Sequence, residues 1–197
     1  MALLSARPIA RLRRRTGHRW RAPWLAVLLC ASAAQGQTQV SEVSLKSAFL
    51  YKFIHYAEWP EQALGAAGSP IALCVLGRDD VAAVLESAVS GRTSHDRPVV
   101  VRRLAQAAEA RGCHVLFVGA SDAPQIDTVL AHVSGQPVLT VGDAEGFARR
   151  GGIINFTRAG TRLGFEINRG AAQRAGLQLS SQLLKLSKLV PEESRGD

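Results

Sequence analysis

The chain has 197 residues, 47% of them hydrophobic and 20% charged, which suits a single globular domain with a full core. Its formal charge of +8 would suggest a nucleic acid or an anionic membrane as partner if the basic residues lay on the folded part. Seven arginines (Arg7, Arg11, Arg13, Arg14, Arg15, Arg19 and Arg21) precede residue 22, and without them 17 basic residues stand against 16 acidic ones, so nucleic-acid binding is not expected.

Those arginines open a leader. After them come the apolar run "WLAVLLCASAA" (24–34) and small residues around Ala31-Ser32-Ala33, the three parts of a secretory signal. The run falls short of the roughly 20 residues a membrane-spanning helix needs. Residues 1–33 are therefore expected to be a cleaved signal peptide, with the mature protein exported. Cys30 is preceded by bulky Leu29, unlike the small residue preferred before a lipid-modified cysteine.

Residues 34–43 are polar and read as a flexible mature N-terminus, followed by a single domain over 44–190 and a polar tail over 191–197. The domain starts with "LKSAFLYKFIHYAEWP", where Leu45, Phe49, Phe53 and Tyr56 fall at helical spacing and Pro60 ends the helix. Strands and helices then alternate. The apolar runs at 71–77, 97–104, 113–119 and 137–143 are separated by helical patterns at 79–90, 105–112 and 123–134. This order predicts an α/β fold, a doubly wound, mostly parallel sheet flanked by helices. "GGIINFT" and "RLGFEIN" flank the turn "RAGT", giving a C-terminal β-hairpin turning at Gly160. Two short helices finish the domain, the second capped by Ser180.

Two cysteines remain after the leader, Cys74 and Cys113, and an even count in an oxidising compartment suggests a disulfide, with two separate buried thiols as the alternative. A flavodoxin-like strand order would make their strands neighbours.

Candidate chemistry is sparse. Asp79, Asp80, Asp122 and Asp143 follow strands, at the sheet edge where ligands bind in this architecture; aspartates there also cap helices and turns. "GFARRGGIINF" (146–156) matches neither G-x-G-x-x-G nor the P-loop pattern, so Gly151 and Gly152 read as an opening into the hairpin strand. Arg149 and Arg150 read as surface charge able to bind a carboxylate or anchor a partner. His55, His95, His114 and His132 lack metal-ligand spacing, and the His55/Glu58 pair reads as a surface contact, so no metal or cofactor is expected. There is no G-x-S-x-G, and Ser180 and Ser181 stand at a helix start, so an enzyme is not expected.

The ordered set "LKSAFLYKFIHYAEWP", "IALCVLG", "CHVLFVG", "PVLTVGDAEGFARRGGIINF", "RLGFEIN" and "AGLQLSSQLLKLSKLV" resembles the YfiR family of periplasmic proteins. That resemblance implies a homodimeric periplasmic repressor that binds the periplasmic sensor domain of an inner-membrane diguanylate cyclase and lowers cyclic-di-GMP, hence biofilm formation. It further implies sequestration by an outer-membrane YfiB-like lipoprotein. It assigns the hairpin to partner binding, with Phe156 as a surface anchor and Glu166 as an orienting charge, beside Arg149 and Arg150; the alternation in "IINF" buries every second residue and leaves a core place for Phe156 as the alternative. A second cysteine pair found in some relatives near the glycine-rich segment is missing here. The alternative reading is a periplasmic small-molecule-binding domain that uses the aspartates of the sheet edge and grips an anion with Arg149 or Arg150.

Overall fold

Strand β2 (Ile71–Leu76; β1 is the two-residue Ala57–Glu58) is buried along its whole length, and its side chains part by parity. Ile71, Leu73 and Val75 enter one core while Ala72, Cys74 and Leu76 enter another. That is the mark of a strand covered on both faces, as a central parallel strand must be. The computed structural model describes residues 34–190; the expected signal peptide and the polar tail at 191–197 lie outside them. No helix among the described residues is long and apolar enough to cross a membrane.

The first core lies under α1 (Ala34–Tyr56) and α2 (Asp79–Val89). Val43, Leu50, Phe53 and Ile54 form the inward stripe of α1 at spacings of three, four and seven. Leu45, expected on the buried face, is instead 44% exposed, because the stripe is turned toward Leu50 and Ile54. α1 also takes in residues 34–43, expected as a flexible stretch. No proline interrupts them, and Val43 is already buried in the core. At the other end the helix stops at Tyr56, short of Pro60, where the chain leaves as β1.

The eight-stranded sheet contains, besides β2, the strands β3 (Thr93–Ser94), β4 (Arg97–Leu104), β5 (Val115–Val118), β6 (Leu139–Gly142), β7 (Ile154–Ala159), β8 (Arg162–Ile167) and β10 (Lys188–Leu189). Its order is β10-β8-β7-β6-β5-β2-β4-β3. The pairs β4/β2, β2/β5, β5/β6, β6/β7 and β8/β10 are parallel, whereas β7/β8 and β3/β4 are antiparallel. The expected mostly parallel sheet and its C-terminal hairpin are both present. The β3/β4 hairpin was not expected. Its turn is made by His95 and Asp96, both at positive φ (50° and 59°), and no glycine marks it in the sequence.

The second core lies on the opposite face, under α3 (Ile126–His132), a 3₁₀ turn at Ala107–Ala110 and the ring of Phe147. Helices were expected over 105–112 and 123–134. The first is only the 3₁₀ turn, and in the second Pro124 keeps the opening residues in 3₁₀ form. On this face Cys74 of β2 and Cys113, two residues before the neighbouring strand β5, are joined, their Cα atoms 5.9 Å apart. Finally α4 (Arg169–Arg174), β9 (Gln178–Leu179, paired with β1) and α5 (Ser181–Leu186) close the domain. Ser180 caps α5, its Oγ accepting from the Leu183 amide.

Candidate functional site

Beside the hairpin the sheet is notched. β6 ends at Gly142, paired with Asn155, while β7 runs on to Ala159 with β8 alone as its partner. The hairpin thus projects beyond β6 and leaves a groove of about 490 Å³ between itself, the residues after β6 and α1 at Glu42 and Lys46. Phe156 and Leu163 supply apolar wall; Lys46, Asp143, Arg149 and Glu166 supply charge.

The floor is an ion network that ties α1 to the sheet. Lys46 Nζ donates to Asp143 Oδ2 at 2.6 Å and lies 2.9 Å from Glu42 Oε1. Glu42 also pairs with Arg158, which draws the hairpin arm toward α1. Asp143 Oδ1 accepts the Ala120 amide, and Arg78 Nη1 lies 3.6 Å from Asp143 Oδ2. With its side chain only 4% exposed, Asp143 is a buried carboxylate held by two cations and an amide, the condition under which a buried charge is tolerated.

Arg78 gathers the strand-end aspartates. Its guanidinium makes a two-pronged bond to Asp80 at 2.8 and 2.7 Å, which holds the Asp80 carboxyl down to about 2. The same bond raises Arg78 above its ordinary value, with Asp143 and Asp122 adding to the effect. A Cβ on Gly119 would overlap the Arg78 side chain, and one on Gly77 would overlap the Asp122 carboxylate, so two strand-end glycines make room for this cluster. Sequence reasoning singled out Asp79, Asp80, Asp122 and Asp143, of which the Asp79 side chain lies outside the described residues, but missed Arg78 and Lys46. The juxtaposition of Arg78 with two aspartates in "GRDD" was the available signal for the first; nothing marked Lys46 on a helix face.

The four residues expected at a partner surface are divided by the fold. Phe156 is 4% exposed, a correction to its expected place on the surface. Its ring packs against Phe49, Phe53 and Phe117, since Phe156 shares parity with core residue Ile154. Glu166 is paired with Asn155, one register step from the Phe156–Phe165 pair, and so stands on the opposite face of the hairpin. It too is more buried than expected, at 8% exposed. Arg149 is exposed at the rim of the groove. Arg150 turns away to α3, donating to Asp127 at 3.1 and 2.8 Å and to the Ala123 carbonyl at 3.2 Å; the Asp127 bond raises its pKa above the ordinary value.

Gly152 has a role other than opening the hairpin. A Cβ there, or on Gly142, would run into the Phe147 ring, which is fully buried between them. Gly151 has φ of 105°, which disfavours a side chain. "GFARRGG" is thus a loop folded around its own phenylalanine.

The rings of His55 and His95 lie 6.4 Å apart, centre to centre. His55 Nδ1 lies 3.3 Å from the Tyr51 carbonyl and forms no site with Glu58, and among the described residues no three His, Cys, Asp or Glu side chains gather as a metal set.

Among solved structures, the crystal structure of a conserved domain protein from Vibrio cholerae O1 biovar El Tor aligns at 13% identity with a TM-score of 0.44. It covers 61% of this chain and 54% of its own, so the chain spans about half the length of that structure, and a likeness at this level carries no argument. Over residues 43–188, from the inward stripe of α1 to β10, the sequence matches the model of the YfiR/HmsC-like family, and the chain belongs to that family.

Proposed function

We propose that this protein is an exported negative regulator. It binds the periplasmic sensor domain of an inner-membrane diguanylate cyclase, lowers cyclic-di-GMP and so restrains biofilm formation. The family match over residues 43–188 carries this reading. It acts through protein contacts, without a catalytic group, metal or cofactor, as a homodimer that an outer-membrane YfiB-like lipoprotein sequesters. The partner surface lies around Glu166 and Arg149, with Phe156 fixing the hairpin from beneath and Arg150 fixing the loop against α3.

The test is intracellular cyclic-di-GMP in a strain lacking the gene, complemented with the full chain or with a chain missing residues 1–33. A rise on deletion, reversed only by the full chain, is the expected result. Unchanged cyclic-di-GMP, at rest and under envelope stress, overturns the reading.

A second reading, a small-molecule-binding domain, is favoured by one observation: Glu145 and Arg149 line the groove without an ion pair to any described residue.

A further inference from the structure

The β3/β4 hairpin stands at the opposite edge of the sheet from β8 and β10, and side chains fasten it to the end of α1. Tyr51 Oη donates to the Thr93 carbonyl at 3.1 Å, and His95 Nε2 donates to the Ile54 carbonyl at 3.0 Å. His95 sits in the turn at φ 50°, a conformation that costs free energy in a residue with a Cβ. The bond to Ile54 brings its ring within 6.4 Å of the His55 ring, centre to centre, with the planes inclined at 33°. His55 is in turn packed edge-on against Tyr51, the ring centres 4.8 Å apart. Two histidines far apart in the chain are thus held side by side by the fold, where no local spacing in the sequence could announce them.

The hydrogen bonds also fix which nitrogens are bare. A carbonyl only accepts, so His95 Nε2 carries its proton and the neutral ring keeps a lone pair on Nδ1; His55 Nδ1, 3.3 Å from the Tyr51 carbonyl, carries its proton and leaves the lone pair on Nε2. Neither bare nitrogen bonds to a described residue, and both side chains are exposed. An imidazole that donates one N–H to a backbone carbonyl while its other nitrogen is bare is in the state in which histidine ligates a metal, with the carbonyl orienting the ring and raising its basicity. We infer that His55 Nε2 and His95 Nδ1 bind a copper ion, Cu(II), between α1 and the β3/β4 turn. With metal–nitrogen bonds of about 2.0 Å, two ligating rings stand about 5 Å apart at a tetrahedral angle and about 6 Å apart when opposite one another. The separation of 6.4 Å therefore suits the planar geometry of Cu(II), with water in the remaining positions, better than tetrahedral zinc. Copper also binds nitrogen ligands most tightly among the divalent first-row metals. Repression as proposed above needs no metal, so this site goes beyond that reading, and its test reads the metal directly.

The test is titration of the chain lacking residues 1–33, prepared without a histidine tag, with copper(II) sulfate, followed by calorimetry and electron paramagnetic resonance. Saturable binding at micromolar concentration is expected, with coupling of the metal to a pair of imidazole nitrogens in the spectrum. Zinc sulfate should bind at least roughly tenfold more weakly. His55→Ala and His95→Asn should each weaken Cu(II) roughly tenfold or more, asparagine being chosen because it tolerates the positive φ of the turn. His132→Ala, which removes an exposed histidine from α3, should leave the affinity unchanged. Both ligands are exposed, so the variants should fold, and circular dichroism checks this. No saturable binding at submillimolar Cu(II) overturns the inference, as does coupling to a single imidazole or unchanged affinity in His55→Ala and His95→Asn. Zinc bound as tightly as copper overturns the assignment to copper.

Discussion

Lys46 on α1 and Asp143 at the end of β6 meet at 2.6 Å, with their side chains only 10% and 4% exposed, and this contact joins the first helix to the carboxyl edge of the sheet. Lys46→Met would leave Asp143 with Arg78 at 3.6 Å and the Ala120 amide, in a site built for two cations. The expected cost is about 3 kcal/mol, because the uncompensated partner and not the lost bond sets the penalty. Lys46→Met with Asp143→Leu should be less destabilising than the two single changes summed. Urea denaturation of the four proteins of this double-mutant cycle measures the coupling; strict additivity would show that the pair contributes nothing.

Phe147 sits between two glycines, and the loop depends on them. Gly152→Ala should destabilise by about 2 kcal/mol as the ring is forced from its place, whereas Phe147→Ala should cost about 3–5 kcal/mol through the cavity it leaves. Combining Gly152→Ala with Phe147→Leu should recover part of the loss. Melting temperatures decide this, and a Gly152→Ala protein as stable as the parent would disprove the close-approach account.

The periodicities that depend on neighbouring residues were legible in sequence; those that depend on distant ones were not. Continuous apolar runs such as "IALCVLG" revealed buried parallel strands, and the spacing of Gly160 revealed the hairpin turn. The face of the hairpin was not legible, because alternation in "IINF" is the same whichever face turns inward. Only the packing of Phe49 and Phe53 from α1 decides that Phe156 is the buried partner. Glu166, one step out of phase, is then carried to the other face. The groove follows from β6 being shorter than β7, a matter of register that no local pattern announces.

Cys74 and Cys113 are 0% and 4% exposed, so their disulfide is shielded on the covered face of the sheet. In the oxidised chain lacking residues 1–33, thiol labelling should find no free thiol. Dithiothreitol should reduce the bridge only once denaturant opens the fold. Replacing both cysteines by alanine should cost roughly 4 kcal/mol in the chain-entropy picture of a loop this long. Rapid reduction of the folded protein would place the bridge at an exposed or mobile edge instead.

The structure also sets a pH dependence. His114 bridges two backbone segments: its Nδ1 accepts the Ala72 amide at 3.0 Å, so Nε2 carries the proton and donates to the Ala63 carbonyl at 3.1 Å. Only the neutral ring does both, since a protonated Nδ1 has nothing to accept with. Burial pushes its pKa below the ordinary 6.5, and Arg97 adds to the depression against the smaller opposing effect of the Ala63 bond. The unfolded chain therefore binds a proton more readily than the folded one. Stability from this group is complete above about pH 6.5 and is lost as pH falls through the lower folded value. The urea midpoint should accordingly drop between about pH 7.5 and pH 5. In His114→Asn, whose side-chain oxygen can still accept the Ala72 amide but does not titrate, the drop should be smaller, at the cost of lower stability at neutral pH from the lost Ala63 bond. An equal drop in both proteins would assign the acid sensitivity to other groups.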